Sequence, residues 1–149
     1  MVKITEKDRF ISILNREEVD RISIACPLQT GTVEMMEATN VFWPEAHYSP
    51  EMMAELSYAA HKLAGIESVR VPFCLTVEAE ILGCKIGNGG KKSQPSVLES
   101  ALTTIDEFNS LSVPDPTKDS RMPTVAKSLR ILKDKVGDTV PLIAGVVSP

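Results

Sequence analysis

Residues 29–84 read QTGTVEMMEATNVFWPEAHYSPEMMAELSYAAHKLAGIESVRVPFCLTVEAEILGC, and the order of turns, caps and apolar runs in this stretch decides the fold class. Its clearest element is a helix. Ser49 supplies an N-cap hydroxyl, Pro50 suits the first helical position, where its missing N–H costs nothing, and Gly65 suits the left-handed residue just past the end. Met52, Leu56, Ala59 and Leu63 recur at helical spacing and are expected to face the core, with methionine as flexible filler. A strand is expected next, over residues 68–71, running into Pro72-Phe73-Cys74-Leu75-Thr76. Glu78 and Glu80 follow in a short helical turn that Gly83 ends. Upstream, Gln29-Thr30-Gly31 forms a turn feeding a short helix with Met35 and Met36. Backbone amides at such a junction can hold an anion, although most such junctions bind nothing.

Working outward, Thr5 caps a helix expected through about Asn15, with Glu6 and Asp8 in the first turn where the helix dipole favours negative charge. Residues 21–26 alternate polar and apolar side chains and read as a strand stopped by Pro27. Residues 85–96, rich in Gly, Lys, Asn and Ser, read as a loop or irregular hairpin. The GNGG run lacks the flanking pattern of a phosphate-binding loop and receives no nucleotide role. Residues 98–118 read as a linker with a short helical piece. A second strong helix is expected over 123–136, with Val125, Leu129, Leu132 and Val136 inward and Gly137 closing it. The apolar run from Pro141 to Val147 suits a strand buried on both faces. Strand, helix, strand in that order predicts a parallel α/β unit.

Composition narrows the function classes. The chain has 149 residues, 43% hydrophobic and 24% charged, with a formal net charge of −4. That length suits one domain, and no segment approaches the 18 or so consecutive apolar residues of a membrane span. The first ten residues mix acidic and basic side chains where a signal peptide needs an apolar core, so a cytoplasmic location is expected. A negative balance argues against a phosphate-backbone binder, because Lys91-Lys92 is the one basic cluster. No nucleic-acid or membrane partner is expected. Cys26, Cys74 and Cys84 are odd in number and form no CxxC pair, so they read as free thiols and not as a disulfide framework or a four-ligand zinc site.

Several residues carry candidate chemistry. Trp43, the single tryptophan, is expected to anchor a loop. His47 titrates near neutrality and can serve as general acid or base, while a histidine hydrogen-bonded to loop backbone is the simpler reading. His61 sits near its helix's end, where a partly charged imidazole is favourable. Arg70 lies within the expected strand and points away from Val69 and Val71, so it needs a partner or a ligand. Glu78 or Glu80 is the expected partner. If that strand is central and parallel, Cys74 lies at the carboxyl edge, where α/β folds build sites, and faces a pocket. The competing reading is a small buried hydrophobe.

The patterns QTGxVExM, WPEAH, PExMAxL, AxHxLxGxExVRxPxCLTV, ExxGCxI and QPSV, in that order, resemble the methylcobamide:coenzyme M methyltransferases of methanogenic archaea, within the uroporphyrinogen decarboxylase superfamily. The likeness covers essentially the whole chain and is densest from Gln29 to Val97. It implies a (β/α)8 barrel and transfer of a methyl group from a methylated corrinoid protein to the thiol of coenzyme M. It also implies a zinc ion that activates that thiol, since the attacking species is a thiolate and a bound cation keeps the sulfur anionic. Decarboxylases of the superfamily carry RQAGR and FSDI segments, whose arginines and aspartate bind the tetrapyrrole. This chain has Leu28-Gln29-Thr30-Gly31-Thr32 and Pro72-Phe73-Cys74-Leu75 in those places, so decarboxylation is disfavoured.

In the methyltransferases the zinc ligands are a His-x-Cys pair and a later cysteine in the barrel's second half. No residue here maps onto them, and a complete barrel takes about 250 residues. The expectation is therefore an incomplete barrel spanning 1–149, a helical and strand lead-in with about the first two barrel strands, inactive alone because the zinc-bearing half is missing. Gln29, Thr30, His47, Arg70 and Cys74 are expected on the substrate side of its pocket. Truncation, one half of a split protein, or a chain that self-associates through its open side would each account for the length. The contrasting reading is a non-catalytic module that docks a corrinoid protein or a separate second half.

Overall fold

The computed structural model describes residues 4–28 and 31–147. Five α-helices and four short strands are found among them: α1 Glu6–Leu14, α2 Val33–Thr39, α3 Pro50–Ala64, β1 Val69–Val71, α4 Val77–Ile81, β2 Lys85–Gly87, β3 Ser96–Glu99, α5 Met122–Val136 and β4 Leu142–Ala144. Two 3-10 turns, Glu45–His47 and Ile105–Ser110, complete the regular structure.

The caps act as their chemistry dictates. Thr5 Oγ1 accepts from the Asp8 amide to start α1, Thr32 does the same for Met35 in α2, and Ser49 for Met52 in α3. Gly65, at φ 68°, ends α3 in the left-handed conformation that only glycine adopts without strain. Gly137 ends α5 with ordinary helical angles. A Cβ there would lie 2.7 Å from the Lys133 carbonyl, so lack of room and not left-handed backbone requires glycine.

α3 packs against α2, α5 and β1, and the core lies between these elements. Leu56, Met53, Phe73, Val69, Val71 and Leu132 are fully buried in it, with Trp43 and Met36 closing its edge. The buried face of α3 carries Met53, Ala54, Leu56, Ser57, Ala59 and Ala60, a stripe rotated from the expected one, while Leu63 is exposed. Apolar residues cover well over half of this helix's circumference, so its neighbours, and not its periodicity, set which of them turn inward. On α5, Val125 and Leu132 point inward as expected, and Ser128 joins them by hydrogen-bonding the Val125 carbonyl.

β1 and β4 pair in parallel, Val69 opposite Leu142 and Val71 opposite Ala144, with α5 between them in sequence. The expected parallel α/β unit is present. Residues 85–99 form an antiparallel hairpin of β2 and β3 with a register shift, the irregular hairpin the composition indicated.

Two expected strands differ. Residues 21–26 run alongside residues 67–68 without forming a strand, because much of their bonding is to side chains: Ile24 N–H donates to the Glu67 carboxylate and Cys26 N–H to Ser68 Oγ. Glu67 also pairs with Arg21 and, at 3.6 Å, with Arg9, which holds Asp20 as well, so this lead-in is tied by charge as much as by ladder. β4 is not buried on both faces. Leu142 and Ile143 are half-buried and Ala144 is exposed, since β1 is its one strand neighbour among the described residues.

Candidate functional site

The residues that follow β1 lie at its carboxyl end, and three of the expected site residues fall around them. Gln29 and Thr30 lie outside the described residues. Gly31 is described, and its place is tight: a Cβ would sit 2.8 Å from the Trp43 ring, so only glycine lets the chain pass the indole. Trp43 is buried, as expected of the anchor.

His47 ends the short 3-10 turn behind Trp43 and Pro44, and is completely buried. Its ring lies 5.3 Å from Trp43 and edge-on to Phe73 at 5.8 Å. Neither ring nitrogen has a hydrogen-bond partner among the described residues, so the expected backbone bond is not made. Burial among aromatic rings, with the Arg121 cation nearby, pushes its pKa down to about 4. At neutral pH it is an uncharged imidazole that offers one donor and one acceptor, and it is poorly suited to giving up a proton as a general acid.

Cys74 is buried, and its Sγ accepts hydrogen bonds from Thr76 Oγ1 at 3.4 Å and Arg121 Nη1 at 3.3 Å. Arg121 is the residue that sequence reasoning missed. Its guanidinium pairs with Glu80 through Nε, donates to Thr76 Oγ1 at 2.9 Å through Nη2, and stacks over Tyr48 at 5.2 Å. Burial works against its charge, but the Glu80 pair and Cys74 more than offset that, and its pKa is raised. One signal could have found it. Arg121 occupies the N-cap of α5, where the positive end of the helix dipole disfavours a cation, so an arginine there calls for a compensating acid elsewhere.

Arg70, in β1, points away from the core that Val69 and Val71 join. Neither expected carboxylate pairs with it. Glu80 is taken by Arg121, and Glu78 Oε1 accepts from the Val147 amide. Arg70 instead donates through Nη1 to the Pro72 carbonyl, and its buried Nε has no partner among the described residues. Burial lowers its pKa. Its backbone is fully satisfied, because Ser57 Oγ of α3 donates to the Arg70 carbonyl and accepts from its amide, both at 3.0 Å.

The structure thus brings His47, Cys74 and the unforeseen Arg121 into one cluster, with Arg70 on the strand leading to it. An open groove of about 380 Å³, lined by Pro44, Tyr48, Met52 and Asn88, adjoins the His47 turn. An apolar cavity of about 190 Å³ lies between Pro72, Val77, Val125 and Gly145. Among the described residues no three His, Cys, Asp or Glu side chains come together as a metal site, so the residues here do not fit zinc.

The family model for uroporphyrinogen decarboxylase (URO-D) matches residues 5–149. The chain belongs to the URO-D family. Within it, the chain is similar to the methylcobamide:CoM methyltransferase MtbA of Methanosarcina mazei, 41% identical over the whole chain and 44% of that protein. It is 40% identical, with the same coverage, to MtaA of Methanosarcina barkeri, also a methylcobamide:CoM methyltransferase. A solved methyltransferase from Methanosarcina mazei superposes with a TM-score of 0.90 at 39% identity, over 99% of this chain and 43% of that one. This URO-D chain therefore spans less than half the length of the relatives it matches. Among its described residues no helix is long and apolar enough to cross a membrane.

Proposed function

We propose that this URO-D chain is the N-terminal part of a methyltransferase that moves a methyl group from a methylated corrinoid protein to coenzyme M. Its β1 and β4 are then early strands of a (β/α)8 barrel. The observation that carries this reading is the 41% identity to a methylcobamide:CoM methyltransferase over the whole chain. The chemistry of the β1 end agrees with it. Phe73, Cys74 and an uncharged His47 stand there beside only two cations among the described residues, Arg121, which Glu80 already engages, and Arg70, so that end suits a small thiol better than a tetrapyrrole with many carboxylates.

His47, Arg70 and Cys74, with Gln29 and Thr30 before them, line the substrate side of the completed pocket, and Arg121 holds Cys74 in place. Zinc chemistry belongs to residues outside this chain, and no step runs through the metal here. The chain given methylcobalamin, coenzyme M and zinc is expected to form methyl-coenzyme M at background level. Robust turnover would refute the dependence on a second half.

A second reading is a non-catalytic assembly module that docks a separate half or a corrinoid protein. It is favoured by the exposed apolar side chains of Ile22, Ile24, Leu28 and Val146 beside the sheet. Self-association through that side is the corresponding expectation in solution, and analytical ultracentrifugation reads it directly.

A further inference from the structure

Residues 4–28 precede the core and take little part in it. Among the described residues no apolar side chain of this segment belongs to the core or packs against it, and Ile11, Leu14, Ile22, Ile24 and Leu28 are exposed. Its one buried side chain is charged, that of Arg9. The hydrophobic effect, the main cohesive force of a fold, therefore contributes little to holding it.

What holds it is polar and centres on Glu67, the buried acid just before β1. The Glu67 carboxylate pairs with Arg21, lies 3.6 Å from Arg9 and accepts from the Ile24 amide, while the Glu67 amide donates to the Ile24 carbonyl. Cys26 N–H donates to Ser68 Oγ, and at the start of α1 the Lys7 amide and Nζ donate to the Thr139 and Gly137 carbonyls. The attraction within a buried ion pair is largely offset by the water its charges give up, so these contacts fix position more than they stabilise. The seam is not close-packed either. A cleft of about 430 Å³ lies along it, with Glu6, Arg9 and Arg21 on one side and His61, Thr139 and Val140 on the other.

The segment is braced within itself by different bonds. Arg9 Nε and Nη2 both donate to Asp20, at 2.7 and 2.9 Å, which ties α1 to the chain that follows it.

We infer that residues 4–28 form an ion-latched arm, which opens off the body as one unit when the Glu67 contacts are lost, while the rest of the fold stays intact. Opening frees the Glu67 amide and carboxylate and the Ser68 hydroxyl for another partner. Arg21 holds the Glu67 carboxyl below the usual carboxylate range. The latch therefore contributes fully above the ordinary value and is lost as pH falls through the lowered one. The charged groups around it are Arg21 and Arg9, with Asp20 and Glu6 behind Arg9 and His61 of α3 at 3.5 Å from Glu6.

Hydrogen exchange of the whole chain, followed amide by amide at neutral pH, tests this without any turnover. The Lys7, Ile24, Cys26 and Glu67 amides bridge the seam and are expected to share one protection. It should lie about a hundredfold or more below that of the Met53, Leu56 and Leu132 amides inside α3 and α5. Rising urea should leave the bridging amides nearly unaffected and strip the helix amides steeply, because opening the arm exposes little surface.

Glu67→Gln keeps the side chain's size and removes its charge. It should lower protection at the bridging amides by about ten- to a hundredfold, the value of a hydrogen-bonded charge. The helix amides should lose no more than the same factor, since the unlatched body is untouched. Arg21→Gln should act in the same direction but less, as Arg9 remains. Glu55→Gln, which breaks the exposed pair with Lys135 on the body, should leave the bridging amides as they were. Bridging amides as protected as those of α3 and α5, four unrelated protections in place of one, no change at the seam in Glu67→Gln, a larger loss in the helices than at the seam, or failure of that variant to fold each overturns the latch.

Discussion

The start of α5 and the middle of β1 each bury an arginine, and the two are treated in opposite ways. Arg121 spends all three of its nitrogens on Glu80, Cys74 and Thr76 and covers Tyr48 with its face. Among the described residues Arg70 has one carbonyl and an unpartnered Nε. A fully engaged guanidinium fixes the loop after β1 to the helix that follows 45 residues later. A poorly engaged one adds charge without cohesion. The difference separates a cation that ties two elements together from one that is buried with little to hold it.

Four experiments would break or sharpen that contrast. Arg121→Met should have the largest effect, since it leaves Glu80 and the Cys74–Thr76 pair without their cation. A loss of roughly 3–5 kcal/mol in urea denaturation is expected, and a cost no greater than that of Arg70→Met would erase the distinction between the two.

Acid should be next. The pKa of His47 is lowered in the folded state, to about 4 from its ordinary 6.5. The unfolded chain therefore takes up the proton first, and stability is full above about pH 6.5 and lost as pH falls toward 4. The loss from this group is about 3 kcal/mol over that window, read as the difference in pH slope between the parent chain and His47→Phe. Removing Arg121 as well should shrink it, because that cation contributes to the lowering.

Ser57→Ala is expected to cost about 2 kcal/mol, because it strands a buried N–H and a buried C=O of Arg70 at once. Equilibrium unfolding measures it, and a neutral result would mean that water replaces the hydroxyl. Cys74→Ser should be the mildest, within about 1 kcal/mol, as the shorter hydroxyl can still accept from Arg121 and Thr76. A large loss of stability there would mean that sulfur's size, more than its hydrogen bonds, holds the cluster.

What could be read from the chain beforehand follows from how local each signal is. The Ser49, Pro50 and Gly65 caps act within one turn, and α3 ends where they indicate. The parallel pairing of β1 with β4 followed from element order. The face of α3 did not follow, because Met52, Met53, Ala59, Ala60 and Leu63 allow several apolar stripes and only α2, α5 and β1 choose among them. Residues 21–26 alternate as a strand does, yet carboxylate and hydroxyl side chains from 67 and 68 take their amides, which no periodicity records. His47, Arg70 and Cys74 were legible as residue types at turns and strand ends. Arg121 was not, since its contact with Cys74 spans 47 residues of chain.

The two hydrogen bonds from Ser57 have one more consequence, for how the sheet can grow. The amides of Val69 and Gly145 carry the pairing toward β4, whereas the Arg70 amide and carbonyl face the other way and are already occupied by a helix side chain. An incoming strand on that side would have to evict Ser57 from the core. At Arg70 itself, therefore, β1 offers no free backbone pair on that side, and a strand added to this sheet pairs more readily beyond β4.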